Sequence, residues 1–174
     1  MIEVVVARLG LDASTQSYVV VLQEKAGSRI LPIWIGQPEA ESIVIHIHNM
    51  KRVRPMTHDL CRNMIVGLGA TLRGVHITRV EKNTYYAELQ LDRAGEVVRI
   101  DARPSDSIAI ALRLDAPIFA AESLLMEQEE DAEESSGFDA SEAEAARQEM
   151  ELSAEQLKAY LEHLRPEDFG KFNL

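Results

Sequence analysis

The 174-residue sequence holds a single cysteine, Cys61, which excludes an internal disulfide and a cysteine-based zinc site and fits a reducing compartment. No stretch approaches the roughly eighteen apolar residues of a membrane helix, and no basic-then-apolar leader opens the chain, so a cytoplasmic protein away from membranes is expected. A Walker loop, a dinucleotide glycine fingerprint, a Gly-x-Ser-x-Gly elbow, and zinc-finger and helix-turn-helix signatures are all missing. Nucleotide-driven motors, dehydrogenases, serine hydrolases and sequence-specific DNA readers therefore have no support. Aromatic residues are few: four Phe, four Tyr and one Trp.

The net charge of −11 is unevenly placed. Residues 127–174 carry 15 of the 29 acidic and 4 of the 18 basic side chains, which leaves 14 of each in residues 1–126. The body is neutral and the acidity belongs to the tail. Within the body, Lys51, Arg52, Arg54 and Arg62 form a local basic cluster, which reads either as a phosphate-binding surface or as a solvated loop rim. An apolar fraction of 46% suits one sizeable core, folding alone or as a small homo-oligomer.

Val- and Ile-rich runs at Ile2 to Leu11, Tyr18 to Gln23 and Ile30 to Ile35 read as strands. Helical spacing follows from Glu39, with Ile43, Val44, Ile47 and Met50 inward. A second helix spans about His58 to Leu68, with Thr57 as N-cap. The pattern then recurs. Strands are expected at Leu72 to Val80, Tyr85 to Leu91 and Glu96 to Ile100, with turns at Lys82-Asn83 and Ala94-Gly95. A helix from Pro104 to about Leu114 buries Ile108, Ala111 and Leu112, a short strand begins at Pro117, and a last helix lies near Glu122 to Met126. The expected fold class is α+β: a duplicated unit of three strands and two helices, joined as one curved or barrel-like mixed sheet with helices outside.

Residues 1–126 thus read as one domain, and 127–152 as an acidic flexible linker that cannot bury enough apolar surface to order itself. Residues 153–174 begin with the capping box Ser153-Ala154-Glu155-Gln156 and carry the apolar stripe Leu157, Tyr160, Leu161 and Leu164. This amphipathic helix and tail is expected to dock on the body, a second subunit or another protein. The tail could also compete for the basic cluster, or simply solubilise the chain.

Two strand-to-helix junctions are alike: Leu31-Pro32-Ile33-Trp34-Ile35-Gly36-Gln37-Pro38-Glu39-Ala40 and Val98-Arg99-Ile100-Asp101-Ala102-Arg103-Pro104-Ser105-Asp106-Ser107. Each sets a carboxylate where a helix begins and free N–H groups concentrate. With Arg54-Pro55-Met56-Thr57-His58-Asp59-Leu60 between them, these segments resemble the bifunctional nuclease family over roughly residues 1–126. Members of that family are reported to cut both DNA and RNA. Ser107 stands where the family pattern usually has Ala.

That resemblance picks out the residues for phosphodiester hydrolysis, which needs an activated water, charge stabilisation on phosphate oxygens and protonation of the leaving oxygen. Glu39, His58, Asp59, Arg103 and Asp106 are the candidate catalytic residues. Arg54, Ser105, Lys51 and Arg52 are candidates for substrate binding, and Asp101 and Asp106 for holding a divalent metal, Mg or Mn. DNA and RNA are the implied partners, bound mostly through the backbone given the few aromatics. Each residue also has a structural reading: Glu39 and Asp106 as caps, Arg103 as an ion-pair partner, His58 as a first-turn residue, Ser105 as a cap. A non-enzymatic regulatory or interaction module is the rival. His46 and His48 lie two apart on a helix, about 200° around it, and cannot share one metal. His76 and His163 have no motif around them.

Overall fold

The computed structural model describes residues 1–12 and 17–127. β-branched runs build strands β1 (Ile2–Asp12), β2 (Ser17–Glu24) and β3 (Ile30–Ile35), followed by helices α1 (Gln37–Ile47) and α2 (Thr57–Gly67). Then come β4 (Ala70–Glu81), β5 (Thr84–Arg93), β6 (Glu96–Ala102), helix α3 (Pro104–Arg113), β7 (Ile118–Ala120) and a 3-10 turn, Glu122–Leu124. The acidic linker and the C-terminal helix lie outside the described residues.

Among the described residues one sheet holds the seven strands, in the order β3-β2-β1-β7-β4-β5-β6. Short β7 is the joint: it pairs antiparallel with β1 and parallel with β4, the sheet's one parallel contact. Register shifts between Val6 and Arg8 in β1, and between Leu72 and Gly74 and between Ile77 and Arg79 in β4, bend their strands. The sheet nevertheless stays open, with β3 and β6 as its two edges, so the expected barrel-like closure does not occur. At the β3 edge, Ile30 exchanges backbone hydrogen bonds with Met126 instead of with another strand.

α1 and α2 both pack on α3, and the helices pack on β2, β4 and β5. The core between them joins Val20, Leu22, Leu31, Val75, Ile77 and Leu89 to Ile43, Ile65 and Ile108. Burying a side chain of this size contributes about 1.5–3 kcal/mol. α3 sits centrally and is buried almost all round, which is why Ile108 and Ala111 are joined inside by Ser105, Ser107 and Arg113.

Three local expectations change. α1 buries Ala40, Ser42, Ile43 and Ile45, whereas Ile47 is exposed, because the helix starts at Gln37 and is turned to lay Ser42 towards α2. Met56 precedes α2 as its N-cap and Thr57 is its first helical residue. The segment near Glu122 makes one 3-10 turn before Met126 is drawn to Ile30. Among the described residues no helix is long and apolar enough to cross a membrane.

Candidate active site

Each helix starts with a carboxylate in its third position: Glu39 in α1, Asp59 in α2 and Asp106 in α3. Pro38 and Pro104 fit the first turns of α1 and α3 because the N–H they lack has no helical partner there. Only Asp59 of the three serves as a local cap, its Oδ2 accepting the Met56 N–H at 2.9 Å. Glu39 lies back against Gly36, the N-cap residue of α1, Asp106 pairs with Arg103, the N-cap residue of α3, and the two carboxylates meet through that Arg103.

The Arg103 guanidinium donates to Asp106 through Nε (2.7 Å to Oδ2) and Nη2 (3.1 Å to Oδ1), and Nη2 also reaches Glu39 Oε1 at 2.6 Å. Asp106 Oδ1 accepts a further hydrogen bond from His58 Nε2 at 3.0 Å. A carboxylate has no proton to give, so Nε2 carries the hydrogen, and in the neutral ring Nδ1 accepts from the Ser42 hydroxyl at 2.8 Å. The chain Ser42–His58–Asp106–Arg103–Glu39 therefore ties α1, α2 and α3 together. Burial pushes the Asp106 pKa up, but the hydrogen bonds from Arg103 and His58 outweigh it and hold the carboxyl below its ordinary value. The two carboxylates raise the Arg103 pKa further above an already high value.

A second ion pair supports the first. The side chain of Arg113, at the end of α3, is 4% exposed and donates to Asp59 Oδ1 (2.6 Å), the Ala109 carbonyl (2.9 Å) and the Ser42 carbonyl (3.2 Å). Burial raises the Asp59 pKa, and the Arg113 and Met56 hydrogen bonds more than offset this, so Asp59 also lies below its ordinary value. Ser42 is thus gripped twice, its carbonyl by Arg113 and its hydroxyl by His58. At 2% exposure it is sealed from substrate, so the Ser42–His58–Asp106 alignment orients the ring and offers no nucleophile.

Beside this network a cavity of about 410 Å³ opens between the end of α1 and the α1–α2 loop, lined by His46, Lys51, Arg52 and Arg54 with Asp59 and Arg113. His58, Arg103 and Asp106 are not in its lining. Arg113 connects the two regions.

A family profile for the bifunctional nuclease domain matches residues 20–133, a span that contains all of these side chains. The chain belongs to that family. Among similar proteins, an uncharacterized protein of Mycobacterium tuberculosis is 38% identical over 170 residues, covering 96% of this chain and 97% of its own. Bifunctional nuclease 1 of Oryza sativa subsp. japonica is 28% identical over 110 residues, 62% of this chain and 33% of the plant protein. Bifunctional nuclease 2 of Arabidopsis thaliana is 30% identical over 105 residues, 59% and 32% respectively. The match thus spans about a third of these plant nucleases.

Within the bifunctional nuclease domain, Glu39, His58, Arg103 and Asp106 form one hydrogen-bonded group, and Asp59 stands behind it on Arg113. Lys51, Arg52 and Arg54 line the neighbouring cavity. Ser105 is buried at 7% exposure in the first turn of α3 and does not face solvent. Asp101 stays apart, on β6 opposite Glu88. Among the described residues no three His, Cys, Asp or Glu side chains gather as a metal-holding group. A divalent ion at Glu39 and Asp106 would have to displace the Arg103 guanidinium, so the donor set as arranged suits a cation already built into the chain.

Gly36, Ser42 and Arg113 complete the site and were not singled out from the sequence. Ser42 follows Glu39 by three positions on α1, a spacing that puts both on one side of the helix. Gly36 has ordinary extended backbone, but a β-carbon there would meet Glu39 Oε2 at 2.4 Å. No sequence signal marked Arg113, whose partners lie up to 71 residues away. Ser107, where the family pattern usually has Ala, is the one described residue with a buried side-chain oxygen that has no hydrogen-bond partner. That is the condition Ala would relieve.

Proposed function

We propose that this chain is a cytoplasmic nuclease of low sequence specificity, hydrolysing phosphodiester bonds of DNA and RNA at the Glu39–Arg103–Asp106–His58 group. The observation that carries the reading is that acid, base and cation are hydrogen-bonded into one unit at converging helix starts, next to a basic cavity, in a chain of the bifunctional nuclease family. Arg103 is the most exposed member, its side chain 65% accessible, and its Nη1 makes no hydrogen bond among the described residues. It binds a non-bridging phosphate oxygen and stabilises the charge that builds there. A carboxylate of the Glu39–Asp106 pair takes the proton of the attacking water. As the phosphorus–oxygen bond to the leaving sugar breaks, His58 in its doubly protonated form, with Nδ1–H then donated to the Ser42 hydroxyl oxygen, gives its Nε2 proton to the departing oxygen and is left as the neutral ring. Lys51, Arg52 and Arg54 hold flanking phosphates.

The test is cleavage of labelled single-stranded DNA and RNA by wild type and by folded Asp106→Ala, purified identically and assayed with EDTA, Mg or Mn. The expected result is activity that the variant lacks; equal activity in both, or none in either, overturns the reading. The use of Arg103 Nε and Nη2 on Asp106 and Glu39 favours one rival, in which the group only pins three helices within an interaction module. That rival is distinguished by an Asp106→Ala loss of stability of about 1 kcal/mol or more with no activity in wild type to lose.

A further inference from the structure

The two edges of the sheet differ. β3 contains Pro32, and its Ile30 is already bridged to Met126, so that edge is blunted. β6 has no proline, and its seven residues pair with β5 in unbroken register from Ala102 opposite Ala87 to Glu96 opposite Arg93. Its other side meets no strand among the described residues.

Side chains on β6 sort by face. Val98 and Ile100 oppose Leu91 and Leu89, which are 7% and 5% exposed, so they continue the core face beyond the helices; each is itself 42% exposed. Arg99 and Asp101 occupy the opposite face, and neither makes a hydrogen bond or ion pair among the described residues. An unbroken edge strand with two exposed apolar side chains on one face and unspent charges of opposite sign on the other is suited to pairing with itself.

We infer that β6 is a homodimer interface, in which two copies pair antiparallel across a two-fold axis at Ile100. In that register Ile100 faces Ile100 of the second copy. Val98 faces Ala102 twice on the core side, and Arg99 faces Asp101 twice on the other. The symmetry makes both charge pairs complementary at once. Shifting the axis to Arg99 would set two guanidinium groups directly opposite each other, which is destabilising. The inference uses none of the residues given a step in the proposed hydrolysis.

Sedimentation of the full chain at tens of micromolar tests it, with Arg99→Asp, Asp101→Arg and the double reversal. Wild type is expected to be dimeric, each single reversal to weaken the dimer about tenfold or more, and the double reversal to restore it. The register is tested by oxidising Ile100→Cys and Val98→Cys in a Cys61→Ser background. Residues directly opposed across antiparallel strands have Cα atoms roughly 4.5–5.5 Å apart, within disulfide range, so Ile100→Cys should cross-link and Val98→Cys should not. A monomeric wild type, single reversals without effect, or cross-linking through Val98→Cys instead of Ile100→Cys would overturn the proposal.

Discussion

Asp106 illustrates how the charge of one side chain enters the stability of the fold. Its carboxyl is held below its ordinary pKa against the effect of burial, so the folded state gains more from the ionised form than the unfolded chain does. The gain is complete above the unfolded value of about 4 and disappears as pH falls through the lowered folded value. Asp106→Asn keeps the shape and removes the charge. The urea midpoint of the variant is therefore expected to lie furthest below wild type at neutral pH and to converge with it on acidification below about pH 4. A gap that stays constant down to pH 2 would show that the charge of Asp106 carries none of the stability.

Gly36 poses the complementary case, in which stability and chemistry separate. Its φ of −74° and ψ of 159° are open to any residue, so alanine strains no backbone. The added methyl would collide only with the end of the Glu39 side chain, which can swing aside. Gly36→Ala should leave the melting temperature within a few degrees of wild type, or raise it slightly, because alanine lowers the entropy of the unfolded chain. Cleavage should fall about tenfold or more, because a small displacement of an aligned group is enough to cost that much. Unchanged cleavage would place Glu39 outside the chemistry.

At the scale of elements, what could be read from sequence was what depends on neighbours in the chain. The two-residue turns Lys82-Asn83 and Ala94-Gly95 were legible, and in both the residues take positive φ, the backbone that lets a tight hairpin follow the twist of its strands. Ala87, Leu89 and Leu91 alternate along β5 and are all buried, although Gln90 between them is buried as well. What could not be read depends on which elements meet. Glu39 and Arg103 are brought together by the packing of α1 on α3, and nothing local to either residue announces it. Asp101 was grouped with Asp106 through the family resemblance, yet the strand ends between the two and leaves Asp101 on β6. Ala94 carries an element-level prediction. At φ 53° it pays the left-handed penalty of a residue with a β-carbon, while Asp92 Oδ1 already accepts the Gly95 N–H. Ala94→Asn, which gives the preferred Asn-Gly pair, should stabilise the hairpin by about 0.5–1 kcal/mol and raise the thermal midpoint accordingly.

Across the whole molecule, the net charge of −11 misleads if it is treated as a single number. Half of the acidic side chains lie beyond residue 126, and a polyanion approaching the body meets Lys51, Arg52 and Arg54 at the mouth of the cavity. On the proposed nuclease reading, attraction to phosphate is local, and its signature is the release of counterions from the nucleic acid. Each phosphate neutralised on a single strand adds about 0.7 to the slope of log affinity against log salt. Replacing Lys51, Arg52 and Arg54 together by alanine should lower that slope by about 2 on single-stranded DNA, measured by fluorescence anisotropy from low to moderate salt. All three side chains are exposed and make no hydrogen bond among the described residues, so the thermal midpoint should stay put. A slope that does not change would mean that this loop is only a solvated rim and that phosphate is met elsewhere, with Arg103 as the exposed cation left to receive it.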